Sequence, residues 1–337
     1  MKNRFPLAAC LIVVMFALLF WTDLDAAPAT APTRTKPEMT KLSIGLPVPA
    51  FSLLPTWVAE EKGFFKEEGI TEVKILAFRG DADVVQALAA GSVDLNIASL
   101  TGLVTTIGAG QKFRAVWAGY NMPIFEWYAQ PKYKSIAETK GGRYGISKFG
   151  AMTDFLTRYA LRKAGLNPEK DVNILQIGPD AQNLAALLAG QLDATILSIP
   201  FSYMAAEKGL VKVMSQRENV SPDYPTHVVY GKEDFIAKNP NTVKACLRAT
   251  GKAIDWIRAN PEDAAQLASK QLKLTIDYCR KGIDAFRDGW FSDGRLPQEG
   301  MKVFWTIAVE AGDVKEPWPN STWLDDTFLK TQAEWRK

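Results

Sequence analysis

One stretch of this chain is written twice, and that repetition limits what the chain can fold into. Residues 73–99 (VKILAFRGDADVVQALAAGSVDLNIAS) and 172–198 (VNILQIGPDAQNLAALLAGQLDATILS) align without a gap. Val73/Val172, Asp81/Asp180, Ala90/Ala189, Gly91/Gly190, Asp94/Asp193 and Ser99/Ser198 are among the identities. Each copy reads as strand, turn, Asp-started helix, Gly stop, strand and a terminal Ser. The doubling reaches back one further unit, since Ile44/Ile146 and Gly63/Gly165 also correspond. Each half therefore predicts β-α-β-α-β. Strands alternating with short helices imply parallel pairing, α/β architecture and open sheets. Two such halves predict two lobes facing one cleft, where function is to be sought.

Two aromatic or proline-marked stretches lie where the chain must change lobes. Trp117 to Tyr133 holds Tyr120, Asn121, Phe125, Trp127 and Tyr128, and Pro225 to Tyr230 holds His227. Both are read as hinge strands. Beyond Pro240 the pattern turns helical: 241–260, 261–272, 276–287, 298–311 and 325–335, with prolines at helix starts. With no strands between them, these helices are expected to pack on the first lobe. The late tryptophans (Trp290, Trp305, Trp318, Trp323, Trp335) are read as packing residues. The expected layout is a signal peptide at 1–29, a flexible leader at 30–40, lobe one from 41–125 and 229–337, and lobe two from 126–228.

The N-terminal assignment rests on Lys2 and Arg4, an apolar run from Pro6 to Trp21, and a small-residue cleavage site at Ala27-Pro28-Ala29. Leu7-Ala8-Ala9-Cys10 resembles a lipoprotein box, but it opens the apolar run when it should close it, so lipidation at Cys10 is the lesser reading. An exported protein is expected. A net charge of +3 without a Lys/Arg stripe gives no footprint for nucleic acid. Cys246 and Cys279, both in helical segments, are read either as a disulfide or as two buried thiols.

Catalytic patterns are missing. His227 is the single histidine, and no Gly-x-Ser-x-Gly elbow, Walker loop or GxGxxG fingerprint accompanies it. One histidine and few cysteines argue against a zinc site. No catalytic residue, metal or cofactor is assigned. What the chain does have is a set of strand-to-helix loops rich in small and hydroxyl residues, the place where open α/β sheets bind ligands. The candidate ligand residues are Phe51, Ser52, Asp81, Ser99, Thr101 and Asn121, with Gly150, Met152, Thr153, Asp180, Ser198, Pro200, Phe201 and His227. Asp81 and Asp180 are read as helix N-caps before ligand contacts, and Asp94 and Asp193 as structural.

Several segments then carry a family likeness. Ala59-Glu60-Glu61-Lys62-Gly63-Phe64-Phe65-Lys66-Glu67-Glu68-Gly69 and Ala87-Leu88-Ala89-Ala90-Gly91-Ser92-Val93-Asp94 resemble motifs of the nitrate/sulfonate/taurine and thiamine-pyrimidine (NMT1/THI5-like) periplasmic binding proteins. Gly150 to Leu156 and Asp193 to Pro200 resemble that group's lobe-two helix start and strand end. The resemblance implies a type II-like, two-lobed binding-protein fold with two mixed sheets joined by hinge strands and a discontinuous first lobe. It also implies a monomeric periplasmic receptor that hands its solute to an ABC permease in the inner membrane. Family contacts carry over to Ser99, Thr101, Gly150 to Thr153, Ser198 and Pro200. Only Arg79 and Lys148 bring cations to these loops. Phe51, Met152, Phe201 and the aromatic hinge instead suggest an organic ligand with an apolar body, an aromatic or aliphatic acid, and the resemblance adds a sulfonate or similar anion to the expected ligands. The alternatives are a pyrimidine-synthase-like enzyme on the same fold, or a receptor presenting its ligand to a membrane sensor.

Overall fold

The computed structural model describes residues 35–336. The expected signal peptide, Cys10 and the first part of the leader lie outside the described residues.

The first half opens with β1 (Lys41–Leu46), α1 (Leu54–Glu61), α2 (Phe64–Glu67), β2 (Glu72–Ala77), α3 (Asp81–Ala90), β3 (Leu95–Ser99), α4 (Leu100–Gly108) and β4 (Phe113–Tyr120). The second half repeats the plan. It runs β5 (Phe125–Ala129), β6 (Arg143–Ile146), α5 (Met152–Lys163), β7 (Asn173–Gln176), α6 (Asp180–Leu188), β8 (Ala194–Ser198), α7 (Phe201–Glu207), β9 (Val211–Ser215), α8 (Gln216–Asn219) and β10 (His227–Lys232).

Two five-stranded mixed sheets result, ordered β2-β1-β3-β10-β4 and β7-β6-β8-β5-β9. In each, three strands of one repeat run parallel, and a strand that follows a crossing between the sheets, β10 or β5, pairs antiparallel with the last of them. β3 (LNIAS) and β8 (ATILS) are buried throughout, as central strands covered on both faces must be. The edge strand β2 alternates Glu and Lys with apolar residues, which blunts its free side. Gly91 and Gly190 adopt φ of 77° and 71°, ending α3 and α6 in the left-handed conformation that glycine takes without a steric penalty.

Asp94 and Asp193 hold the sheets in register. Ser43 donates its N–H (2.7 Å) and hydroxyl (2.6 Å) to Asp94 Oδ2, and Arg143 donates its N–H (3.0 Å) and Nε (2.9 Å) to Asp193 Oδ2.

The chain crosses between sheets at 121–124 and 216–226, so the two stretches read as hinge strands are each broken, not continuous. The pairing places Phe125 in the second sheet and His227 and Val228 in the first. The crossings brace each other. The buried Gln216 side chain accepts the N–H groups of Ile124 (2.9 Å) and Phe125 (3.1 Å), and Thr226 N–H donates to the Tyr120 carbonyl (3.0 Å).

The remainder is helical: α9 (Glu233–Lys238), α10 (Pro240–Ala259), α11 (Pro261–Leu272), α12 (Ile276–Phe286), α13 (Gln298–Ala311) and the single turns α14 (Asn320–Trp323), α15 (Thr327–Lys330) and α16 (Gln332–Trp335). The helix expected over 325–335 is thus two turns, interrupted at Thr331, whose hydroxyl bonds back to the Thr327 carbonyl (2.7 Å). α10 and α11 pack on α1. α13 departs from the expected grouping: Phe304 meets Phe155 of α5, ring centroids 6.1 Å apart, so this helix reaches the second lobe. Trp290, Trp305, Trp323 and Trp335 are buried in the core.

The last residues of the expected flexible leader are docked. The Glu38 carboxylate accepts the N–H groups of Asn241 (3.0 Å) and Thr242 (2.7 Å), capping α10. Cys246 and Cys279 are free and buried.

Candidate functional site

The carboxyl ends of the parallel strands and the first residues of the two returning strands converge. Ser99 at the end of β3 pairs with His227, which opens β10, and Ser198 at the end of β8 pairs with Phe125, which opens β5. The two Asp residues that begin α3 and α6 close these junctions. Asp81 Oδ1 accepts Ser99 N–H (3.0 Å), and Asp180 Oδ2 accepts Ser198 N–H (3.1 Å) together with the Ser198 hydroxyl. The repeat has therefore built one brace twice. Neither carboxylate caps its own helix, contrary to the sequence reading; Gly80 and Pro179 occupy the cap positions. Ser99 is the residue that caps, accepting Gly102 N–H at 3.0 Å and starting α4.

Between the two sets of loops lies a cavity of about 340 Å³. Its polar lining comprises Ser52, Asp81, Ser147, Thr153, Asp180, Ser198, His227 and, from the end of α11 and the turn after it, Gln271 and Lys273. Its apolar lining includes Val48, Phe51, Ile124, Phe125, Met152, Phe201, Leu272 and Leu274. Such a volume and mixture suit a small organic molecule with a few polar groups.

Burial sets the charge states here. It raises the carboxyls of Asp81 and Asp180 above the usual range, against the lowering effect of the serine hydrogen bonds. It also pushes His227 down to about 3, so the imidazole is neutral. Ser52 Oγ and His227 Nδ1 are buried without a hydrogen-bond partner among the described residues, and buried polar atoms are ordinarily paired. The lining holds no arginine, and its single lysine, Lys273, is exposed.

The chain also resembles proteins of known family. A family model described as NMT1/THI5 like matches residues 50–264, well over half of the chain. The chain belongs to the NMT1/THI5-like family. It is 28% identical over 311 residues to the bicarbonate transport ATP-binding protein CmpC of Synechocystis, covering 86% of this chain but only 45% of that protein, so it spans less than half of that relative's length. A solved structure from Bordetella bronchiseptica superposes with a TM-score of 0.77 at 25% identity, covering 89% of this chain and 99% of that one. The periplasmic nitrate-binding protein NrtA from Synechocystis superposes with a TM-score of 0.74 at 17% identity, covering 89% and 90%. The fold is that of type II periplasmic binding proteins.

In this NMT1/THI5-like chain, the sequence-derived candidates separate into two groups. Phe51, Ser52, Asp81, Met152, Thr153, Asp180, Ser198, Pro200, Phe201 and His227 all line the cavity. Ser99, Thr101, Gly150 and Asn121 do not. The Ser99 hydroxyl is engaged by Gly102, and Thr101 and Gly150 open on a separate gap beside α5. The Asn121 amide donates to the Arg295 carbonyl. Of Arg79 and Lys148, neither reaches the cavity; both stand in an adjoining outer groove, where Lys148 pairs with Asp83 of the other lobe. Sequence reasoning missed Leu272, Lys273 and Leu274, because nothing in the α11–α12 turn marks it as cleft-facing. Lys273 does carry φ of 56°, which a non-glycine residue seldom adopts.

The lobes also touch around the cavity. Met152 N–H, the first of α5, donates to Asp81 Oδ2 at 3.2 Å, setting the positive end of a lobe-two helix against a lobe-one carboxylate. Elsewhere, Glu207 of α7 meets Lys281 (3.0 Å) and the Tyr278 hydroxyl, both on α12.

Proposed function

We propose that this chain is the solute-capturing component of an ABC import system, closing two lobes over one small organic molecule and presenting it to a membrane permease. The observation that carries the reading is the cavity walled by duplicated loops from both sheets. Closing by rigid movement about the two crossings fits this arrangement. Membership of the NMT1/THI5-like family, and the binding-protein fold shared with NrtA, support it. An enzyme reading has less behind it: Cys246 and Cys279 lie outside the lining, and the neutral His227 has no nucleophile and orienting carboxylate bonded to it. The site residues proposed are those that line the cavity from the sequence-derived set, joined by Leu272 and Leu274. Export to the periplasm through a cleaved leader, and action as a monomer, complete the proposal.

The test is a thermal-shift and calorimetry panel on the mature chain, using anions, organic acids, amines and heterocycles. A ligand that binds only the folded, closed state raises Tm by mass action, by about 2.7 kcal/mol of stability at a hundredfold excess over Kd. No shift anywhere across the panel would count decisively against a solute receptor.

A further inference from the structure

If the receptor reading holds, the lining also indicates what the solute's head group must do. The charged or titratable residues around the cavity are Asp81, Asp180, His227 and the exposed Lys273. Asp81 has both oxygens engaged, by Ser99 and Met152 N–H groups. Asp180 differs from its repeat partner. Both Ser198 donors fall on Oδ2, and Oδ1 has no partner among the described residues. Two further groups lack partners in the same lining, Ser52 Oγ and His227 Nδ1, with their residues only 2% and 3% exposed. The surrounding side chains are largely apolar. An anionic head placed here would face carboxylates, with no guanidinium to clamp it and only a solvated ammonium nearby. A donor head would satisfy the open oxygen instead.

We propose that the cavity selects a compact, apolar-bodied organic solute whose head donates hydrogen bonds to Asp180 Oδ1 (an amidine, an ammonium or a ring N–H) and discriminates against anions of the same size. Ser52 Oγ and His227 Nδ1 complete the polar contacts. Burial that lifts the Asp180 carboxyl also favours the proposal, because a donor or cationic head relieves that penalty.

Matched pairs of probes separate the possibilities: benzamidine against benzoate, and phenethylamine against phenylacetate, with nitrate as the inorganic anion. Calorimetry on the mature chain is expected to give at least tenfold tighter binding for the donor of each pair. Asp180→Asn is expected to weaken donor binding by tenfold or more while the ligand-free Tm stays level or rises, a combination that a merely structural role would not produce. Tighter binding of benzoate, phenylacetate or nitrate overturns the inference and leaves the receptor reading standing. Donor binding undiminished in Asp180→Asn overturns the assignment to that residue. No binding by any donor probe, in a chain that unfolds cooperatively, overturns the inference, while the receptor reading is decided by the broader panel.

Discussion

Glu68 and Asp180 are both carboxylates, yet their surroundings drive their titration in opposite directions. Glu68 is desolvated, but Lys252 (2.7 Å) and Arg248 (2.5 Å) outweigh that and hold its carboxyl below the ordinary range. Its contribution to stability is therefore present above the unfolded-state pKa and lost as pH falls through the folded value. Glu68→Gln should cost about 3 kcal/mol at neutral pH, since it leaves Arg248 buried without its counter-charge. That deficit should shrink toward pH 3 in urea titrations. Asp180 has the reverse sign: its raised carboxyl stabilises below the unfolded pKa, and that stabilisation is lost as pH rises through the folded value. The stability of Asp180→Asn relative to wild type should accordingly grow from pH 3.5 to pH 7, and a flat difference would show the carboxyl to be unperturbed. The buried thiols of Cys246 and Cys279, raised to about 12 and about 11, should react with a disulfide reagent only after unfolding.

Among the secondary-structure elements, the legible parts were those with local signals. The repeat's hydrophobic runs, Asp starts and Gly stops marked β1 to β3 and β6 to β8 with their intervening helices. What failed to show was any choice between two partners far apart in the chain. Asp81 and Asp180 look like caps because they begin helices, but a strand-end N–H from Ser99 or Ser198 lies within reach and takes the carboxylate instead. Glu38 shows the converse: a residue in a leader that reads as unstructured caps α10 more than two hundred positions later. Position puts Asn121 in the cleft, and position with the family likeness puts Thr101 there, but the crossings and α5 draw them elsewhere. Gln216 gave no sequence signal at all, although its side chain joins the two crossings. Replacing it with alanine strands the Ile124 and Phe125 N–H groups. The expected loss is about 1–3 kcal/mol in chemical denaturation, and an unchanged midpoint would mean that the crossings do not depend on this brace.

For the molecule as a whole, the proposed closure draws on polar contacts such as the latch of Glu207 to Lys281 and Tyr278, beside the apolar contact of Phe304 with Phe155. Glu207 is exposed, and so are its partners on α12 in large part, so the latch is worth about 1 kcal/mol or less. Glu207→Gln should weaken solute binding by no more than about fivefold, leave the unfolding midpoint unchanged, and shift small-angle scattering of the ligand-free chain toward a larger radius of gyration. A loss of stability instead would place Glu207 in the fold and not in the closing movement.

β3 with α3 and β8 with α6 are copies carrying a matching Asp–Ser brace, so a solute held as proposed would meet related groups on the two walls. Walls related in this way offer similar groups to either end of a guest and cannot by themselves tell a molecule from its reversed orientation. Discrimination then falls to whatever breaks the symmetry: the open oxygen of Asp180 against the filled one of Asp81, His227 against Phe125, and the one-sided Leu272 and Leu274. Changes of ligand among related chains should therefore concentrate at those unmatched positions, while the paired braces stay as they are.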